Sequence, residues 1–224
     1  MKTFAIGDIH GCFRAFDAVV VAADLAEGDT LVLLGDYVDR GPDTPRVLDR
    51  IIRESGNRNL VSLRGNHEVM MLESRENHEM FDGWQLCGGR ETLESYGWSG
   101  DGDWSQLISE EHWAFLEQTR AWLETDDYIF VHANVCPYMG MEEHSDMQLY
   151  WDKCHDLKLH RSGRRAVIGH TRQRTGVPRQ WPGGVCIDTA AVGGQWLTCL
   201  EVESGEFTQA NQAGEVREGH LVGW

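Results

Sequence analysis

No apolar stretch in this chain is long enough to cross a bilayer. Runs such as Leu31 to Leu34 and Tyr128 to Val131 hold four residues, where a spanning helix needs about 20. A secretory leader is not expected either, because Met1 to Asp8 turns polar before an apolar core can form; the reading is a cytoplasmic protein with no membrane partner. No Cys-x-x-Cys pair occurs among the six cysteines, Cys12, Cys87, Cys136, Cys154, Cys186 and Cys199. That excludes a zinc ribbon and favours reduced, structural thiols. Positive charge is scarce: 20 Lys and Arg against 36 Asp and Glu give a formal charge of −16. Such a surface repels phosphate backbones, so general nucleic-acid binding is excluded. There is no internal repeat and no low-complexity linker, and 224 residues suit one catalytic domain spanning 1–224.

What is present is a repeated pattern of apolar strand, polar loop and helix. Lys2 to Ile6 reads as a strand that stops at Gly7-Asp8. A helix follows, with Phe13, Phe16, Val19, Val20 and Ala23 on one face. Leu31 to Leu34 is a second strand and ends at Gly35-Asp36. Thr44 is the expected N-cap of the next helix, with Pro45 at its first position and Val47, Leu48, Ile51 and Ile52 as its buried stripe. Leu60 to Leu63 is a third strand and runs into Arg64-Gly65-Asn66-His67. This is α/β patterning, in which ligands sit beyond the C-terminal ends of the strands. Residues 69–125 read as helical, with a stripe at Trp113, Leu116 and Leu123. Later strands at Tyr128 to Val131, Ala166 to Ile168, Val185 to Ile187, Trp196 to Val202 and Phe207 to Gln209 are closely spaced and expected to pair antiparallel.

The strand ends carry the chemistry. Asp8, His10, Asp36, Asn66, His132 and His170 each follow an apolar run and neighbour a glycine or other small residue. One Asp in such a place is usually a helix cap, and one buried His is usually a satisfied core residue. Six at strand ends are not explained that way. Oxygen and imidazole donors without thiolate suit Mn²⁺, Fe or Zn²⁺, and two such ions would offset about four of the negative charges.

Gly7-Asp8-Ile9-His10-Gly11, Gly35-Asp36-Tyr37-Val38-Asp39-Arg40-Gly41 and Arg64-Gly65-Asn66-His67-Glu68 resemble the three signature blocks of the phosphoprotein phosphatases, within the calcineurin-like metallophosphoesterases. Val131-His132-Ala133 and Ile168-Gly169-His170-Thr171 resemble the two C-terminal histidine blocks, and the small bacterial and phage forms are the most similar. The resemblance implies two mixed sheets sandwiched between helices (αββα) and two divalent ions, manganese first. Asp8 and His10 would hold one ion, Asp36 would bridge, and Asn66, His132 and His170 would hold the other. Arg40 and Arg64 would grip phosphate with Asn66, and His67 paired with Asp39 would be the general acid, the carboxylate favouring the imidazolium. Lys153 stands where a third phosphate arginine is usual, keeping the charge without the fork. Other departures are Asn134 after Ala133, Arg172 after Thr171, and Ala190-Ala191 after Thr189.

The implied activity is hydrolysis of phosphate monoesters by direct attack of water, on phosphoserine and phosphothreonine, with phosphotyrosine and small phosphate esters within range. The rival enzyme is a symmetrical dinucleoside polyphosphate hydrolase, whose members lack an aspartate at the position of Asp39. The rival from another class is a silent phosphate-binding module. His112, His144, His155 and His160 match no block and are expected in core or solvated roles; Asp101-Gly102-Asp103 lacks the spacing of a calcium loop and reads as a turn.

Overall fold

The computed structural model describes all residues, Met1–Trp224. Its first half alternates as the sequence predicts: β1 (Thr3–Ile6), α1 (Phe13–Ala22), β2 (Thr30–Leu33), α2 (Thr44–Ser55) and β3 (Asn59–Ser62). The three strands are parallel, with Thr3 opposite Thr30 and Thr30 opposite Asn59. Phe16, Val19 and Val20 of α1 and Val47, Leu48 and Ile51 of α2 are buried, and each such side chain contributes about 1.5–3 kcal/mol relative to exposure. Thr44 is not the cap but the first helical residue. Asp43 precedes it without a side-chain capping bond, and Pro45 is second.

The helical segment is α3 (Asn66–Ser74), α4 (His78–Trp84), a wide π-type turn at Gln85–Gly89, α5 (Arg90–Ser95), a short turn at Trp104–Leu107 and α6 (Glu110–Glu117). Helix ends there. Trp122–Glu124 is a strand, β4, so Leu123 does not continue the stripe of Trp113 and Leu116. Its backbone pairs with β5 (Tyr128–Val131), Trp122 lying opposite Val131, and that long-range ladder overrides the local spacing.

The remaining strands are β6 (Arg165–Ile168), β7 (Arg179–Trp181), β8 (Gly184–Cys186), β9 (Leu197–Glu201), β10 (Glu206–Ala210) and β11 (Val216–His220). One mixed sheet has the order β11-β10-β9-β1-β2-β3 and the other β4-β5-β6-β8-β7. The expected antiparallel pairing holds for β9 and β10, and β11, which carries no strand signal in the sequence, adds to β10 in the same sense. It does not hold for β5, β6 and β8, which are parallel. Parallel neighbours need long crossovers, and residues 132–164 and 169–183 supply them. This correction matters for the site: parallel strands deliver His132, His170 and Asp188 to the same edge.

Between the sheets lies a core that includes Val32, Leu34, Phe130, Val167, Ile187 and Leu200. The outer face of the six-stranded sheet packs on the helices through Phe16, Leu48, Trp84 and Trp113. The outer face of the other sheet is covered by Met141, Leu149, Tyr150 and Leu157, from a segment whose only helices are short turns at Met141–Glu143 and Met147–Trp151. All six cysteines are unpaired, and Cys12, Cys154, Cys186 and Cys199 are buried as small apolar side chains.

Candidate metal centre and phosphate cleft

The loops after β1 and β2 interlock. The N–H groups of Ile9 and His10 both donate to the Asp36 carbonyl, at 3.0 and 2.8 Å. A Cβ on Gly41 would land on the His10 carbonyl, and one on Gly65 would strike Asp36, so these loops approach only as glycines. His10, Asp36, Asp39, Arg40 and His170 all have positive φ, between 45° and 72°. Such conformations cost about 1–3 kcal/mol each and persist where surrounding structure enforces them. Five of the seven non-glycine residues with positive φ are sequence-predicted site residues, which marks a preorganised site.

Asp36 lies at the centre. Its Oδ2 is 3.4 Å from His10 Nε2 and its Oδ1 is 3.4 Å from His132 Nε2. Asn66 Oδ1 is 3.1 Å from His132 Nε2 and 3.0 Å from His170 Nδ1. Each of these histidines is fixed by its other nitrogen, which donates to a backbone carbonyl: His10 Nδ1 to Val38 at 2.8 Å, His132 Nδ1 to Leu34 at 2.9 Å, His170 Nε2 to Trp151 at 2.9 Å. That choice of tautomer leaves three lone pairs facing inward. They face the oxygens of Asp36 and Asn66; His10 Nε2 also accepts from Arg40 at 2.6 Å, while the His132 and His170 nitrogens meet the Asn66 Oδ1. A cation would satisfy these converging lone pairs, and mixed imidazole and oxygen donors fit a borderline divalent metal. Donor atoms of His10, Asp36 and His67, and of Asp36, His132 and His170, form two sets that lie within 4.8 Å and meet at Asp36. Asp8, whose two oxygens each accept from the His170 N–H at 3.1 Å, is buried beside them.

Burial, then the charge of Asp188, pushes Asp8 well above the carboxylate range; burial, then Asp8, does the same to Asp36. Burial holds His10, His67 and His132 well below their ordinary value, which suits neutral imidazole ligands. These shifts fix a sign for stability. Histidines kept neutral contribute stability that is complete above 6.5 and lost as pH falls below it. Carboxyls held protonated contribute stability that declines as pH rises from their unfolded values through about 7 for Glu68 and about 8 for Asp39. Between 6.5 and 8 only the second contribution varies, so in chelator the melting temperature should fall across that window. Added Mn²⁺ should stabilise progressively more over the same range; a constant Mn²⁺ shift measured by scanning calorimetry would contradict the site.

Glu68 is a post for the loops, a role its motif position did not reveal. Its carboxylate accepts from the N–H groups of Asp36, Tyr37 and Gly65, each at 2.8 Å, and it is fully buried. Glu68→Ala orphans three buried donors at about 1–3 kcal/mol each, partly offset by removal of a buried charge, for a net loss of at least ~3 kcal/mol. Glu68→Gln retains one acceptor oxygen and should lose about half as much. Equal urea midpoints for wild type and Glu68→Ala would refute the assignment.

The pairing expected of Asp39 and His67 is present, Asp39 Oδ2 to His67 Nδ1 being 2.6 Å. Trp84 Nε1 donates to both oxygens of Asp39, at 3.0 and 2.8 Å, and the Thr92 hydroxyl donates at 2.9 Å. Burial, the largest cause in each case, raises Asp39 to about 8 and lowers His67, opposing the imidazolium that the pairing was expected to favour. His67 Nε2 faces Asp36 Oδ2 at 4.0 Å.

A cleft of about 340 Å³ opens over these groups, lined by Asp36, Arg40, His67, Lys153, His170, Thr171, Arg172, Arg174 and Asp188. Arg40 Nη1 donates to His10 Nε2 at 2.6 Å. Lys153, an expected phosphate contact, is on the wall. Arg64 is not: it donates from Nε to the Thr119 hydroxyl at 2.9 Å and from Nη2 to the Leu116 and Glu117 carbonyls. Its guanidinium ties the end of β3 to the C-terminus of α6, where helix carbonyls lack partners, and it is not among the residues that line the cleft. Trp84, Thr92, Arg172, Arg174 and Asp188 were missed as site residues. For Arg172 the available signal was a cation directly after a strand-end histidine block. The other histidines are structural or exposed, as expected: His112 meets Tyr96 and Asp49, His144 meets Gly140 and Cys136, His160 meets Met139 and Ser162, and His155 is exposed. Asp103 caps Ser105 in a turn.

The model of the calcineurin-like phosphoesterase family matches residues 1–173. The symmetrical bis(5'-nucleosyl)-tetraphosphatase of Delftia acidovorans is 31% identical over 144 residues, 64% of this chain and 48% of that protein. Serine/threonine-protein phosphatase 1 of Salmonella typhimurium is 33% identical over 115 residues, 51% of this chain and 45% of that protein. The chain thus matches less than half the length of these curated relatives. Among solved structures, a putative diadenosine tetraphosphatase superposes with a TM-score of 0.64 at 17% identity, over 100% of this chain and 95% of that one. A cold-active protein-tyrosine phosphatase of a Shewanella species gives 0.63 at 15% identity, over 97% and 80%. At these identities the superpositions establish the fold alone.

Proposed function

The chain belongs to the calcineurin-like phosphoesterase family, and from that premise we propose a phosphomonoesterase that hydrolyses phosphoserine and phosphothreonine, with phosphotyrosine and small esters also accepted. The observation that carries this reading is the Asp39–His67 pair at 2.6 Å, oriented by Trp84 and Thr92. Alkyl phosphates have poor leaving groups and need a positioned acid, worth about 10²–10⁴ in rate. Phosphoanhydrides, with better leaving groups, need it less.

In this reading Asp8, His10 and Asp36 would hold one divalent ion, and Asp36, Asn66, His132 and His170 the second, with manganese the first choice. Bound there, the ions would supply Lewis acidity toward the phosphoryl oxygens and a water acidic enough to act as nucleophile at neutral pH. Arg40 donates to the phosphate oxygens, and Lys153 adds a point charge at the wall. His67 carries a proton on Nε2 for the departing alkoxide. The dianion of a bound phosphate raises the proton affinity of that ring, opposing the effect of burial. Asp39, held by Trp84 and Thr92, receives the Nδ1 proton of His67 in a hydrogen bond and aims the ring. Arg64 acts as a tie for the loop that carries Asn66 and His67.

Hydrolysis of symmetrical dinucleoside tetraphosphates is the second reading, favoured by the named activity of the Delftia acidovorans relative and by the cationic wall of the cleft. Turnover of para-nitrophenyl phosphate with and without Mn²⁺ separates either enzyme from a silent binding module. A rate no higher than buffer in saturating Mn²⁺ removes both enzymatic readings. A panel of phosphopeptides and dinucleoside polyphosphates then ranks the two.

A further inference from the structure

In a chain of formal charge −16, one wall of the cleft is cationic: Lys153, Arg172 and Arg174 stand there with Arg40, and no hydrophobic residue lines it. Lys153, Arg172 and Arg174 are exposed, and the ion pairs of this chain are made by other residues, such as Arg50 with Glu54 and Arg164 with Glu124. These three cations make no ion pair, and although Asp36 and Asp188 line the same concavity, together with Arg40 the positive groups outnumber them and draw in anions.

The loop that carries the two arginines is built rather than loose. Gln173, buried between them, donates from its backbone N–H to the Asp188 carbonyl at 2.7 Å and from its side chain to the Thr171 carbonyl. The Gly176 N–H closes a turn onto Gln173 at 3.0 Å, and the Gly176 carbonyl accepts from Arg217 at 2.7 Å and Gln209 at 3.0 Å. Residues two apart in an extended chain point to the same side, and Arg172 and Arg174, flanking the buried Gln173, both line the cleft. Arg40, in the same cleft, contacts His10 directly. A single phosphate held by Arg40 leaves the Arg172 and Arg174 guanidiniums without a ligand.

We propose that Arg172 and Arg174, supported by Lys153, form a second phosphoryl subsite beside the scissile position, so that the preferred substrates carry two neighbouring phosphate groups. This rests on the phosphatase reading for its substrate orientation. Planar guanidiniums bind phosphoryl oxygens bidentately, and nothing apolar on the wall competes for a base or side chain. The second phosphate can come from an anhydride, as in a nucleoside diphosphate, or from a second phosphorylated residue in a peptide.

Equilibrium binding tests the subsite without turnover. The full-length chain, at fixed free Mn²⁺, is titrated by calorimetry with methylenebisphosphonate and with methylphosphonate, neither of which is hydrolysed. The bisphosphonate should bind at least about tenfold more tightly, and in Arg172→Ala/Arg174→Ala the preference should shrink to about twofold or less. No preference in the wild type, or the same preference in the variant, overturns the subsite. Turnover of ADP against AMP, and of a bis-phosphoserine peptide against its singly phosphorylated form, identifies the source. A higher kcat/KM for the doubly phosphorylated member of either pair supports the proposal, and measurable turnover with a gain in neither overturns it. Absence of all turnover alongside an intact bisphosphonate preference condemns the phosphatase reading but not the subsite.

Discussion

Asp36→Asn is expected to abolish hydrolysis while leaving the folded chain as stable as before, or more so, in the presence of chelator. Asp36 is the single residue that faces both donor sets, at 3.4 Å from His10 and 3.4 Å from His132. An amide keeps the contact its Oδ1 makes with the His67 N–H at 3.1 Å but carries no charge to hold two cations. Loss of several kcal/mol of electrostatic stabilisation, at about 1.4 kcal/mol per decade, gives a rate at least about a thousandfold lower. Stability moves the other way. Asp36 is a buried carboxyl held far above its ordinary value by burial and by Asp8, so its ionisation destabilises the folded state increasingly as pH rises. Replacing it should raise the melting temperature in chelator, by about 2–4 °C for each kcal/mol relieved, with the gain increasing toward alkaline pH. Opposite signs for activity and stability are what distinguish a functional carboxylate from a structural one. A variant that loses both together would place Asp36 among the structural residues.

His67→Asn is expected to split substrates by leaving group. With an alkyl phosphate such as a phosphoserine peptide, kcat should fall about 10²–10⁴-fold; with para-nitrophenyl phosphate, whose phenolate leaves without protonation, about tenfold or less. Asp39→Asn should follow the same split more mildly, because the ring stays and an amide oxygen can still accept from it, but the carboxylate charge is gone. Trp84→Phe and Thr92→Val each remove one donor to Asp39 and belong to the same series as positioning residues. Their signature is a shift in the pH profile of kcat with little change in KM. An equal loss on both substrate types for His67→Asn removes it from the acid role.

The strand-end residues were legible because each rule involved is local. An apolar run of four residues followed by glycine and a carboxylate, imidazole or amide is written in consecutive letters, and the parallel sheet converts those letters into one site. Asp8, His10, Asp36, Asn66, His132 and His170 are accordingly gathered at one edge. What escaped was what depends on partners distant in the chain. The parallel direction of β5, β6 and β8 is set by crossovers of 33 and 15 residues, counted as 132–164 and 169–183, not by the apolar pattern of the strands. β7 and β11 contain almost no apolar signal: Val216–His220 alternates exposed and half-buried residues and exists as a strand through its ladder to β10. β4 carries a Trp-Leu pair that suits either period, and its ladder to β5 decides.

The same division applies within the site. Arg40 and Arg64 stand in equivalent-looking motif positions, yet one guanidinium reaches His10 and the other is drawn to the α6 carbonyls by a contact across 52 residues. Trp84 and Thr92 reach Asp39 from 45 and 53 residues away, and nothing near them in sequence marks them. The burial that opposes an imidazolium at His67 was hidden for a different reason. Pairing is visible in sequence, whereas the depth of burial that opposes it is a property of the assembled fold.

The central claim is that six side chains at the strand ends hold two cations bridged by Asp36. Anomalous diffraction from crystals soaked in Mn²⁺, recorded near the manganese edge, tests it directly. The account predicts two peaks about 3.5–4 Å apart, one against Asp8 and His10 and one against Asn66, His132 and His170, with Asp36 between them. No peak within reach of Asp36, or manganese bound only elsewhere on the acidic surface, would contradict it.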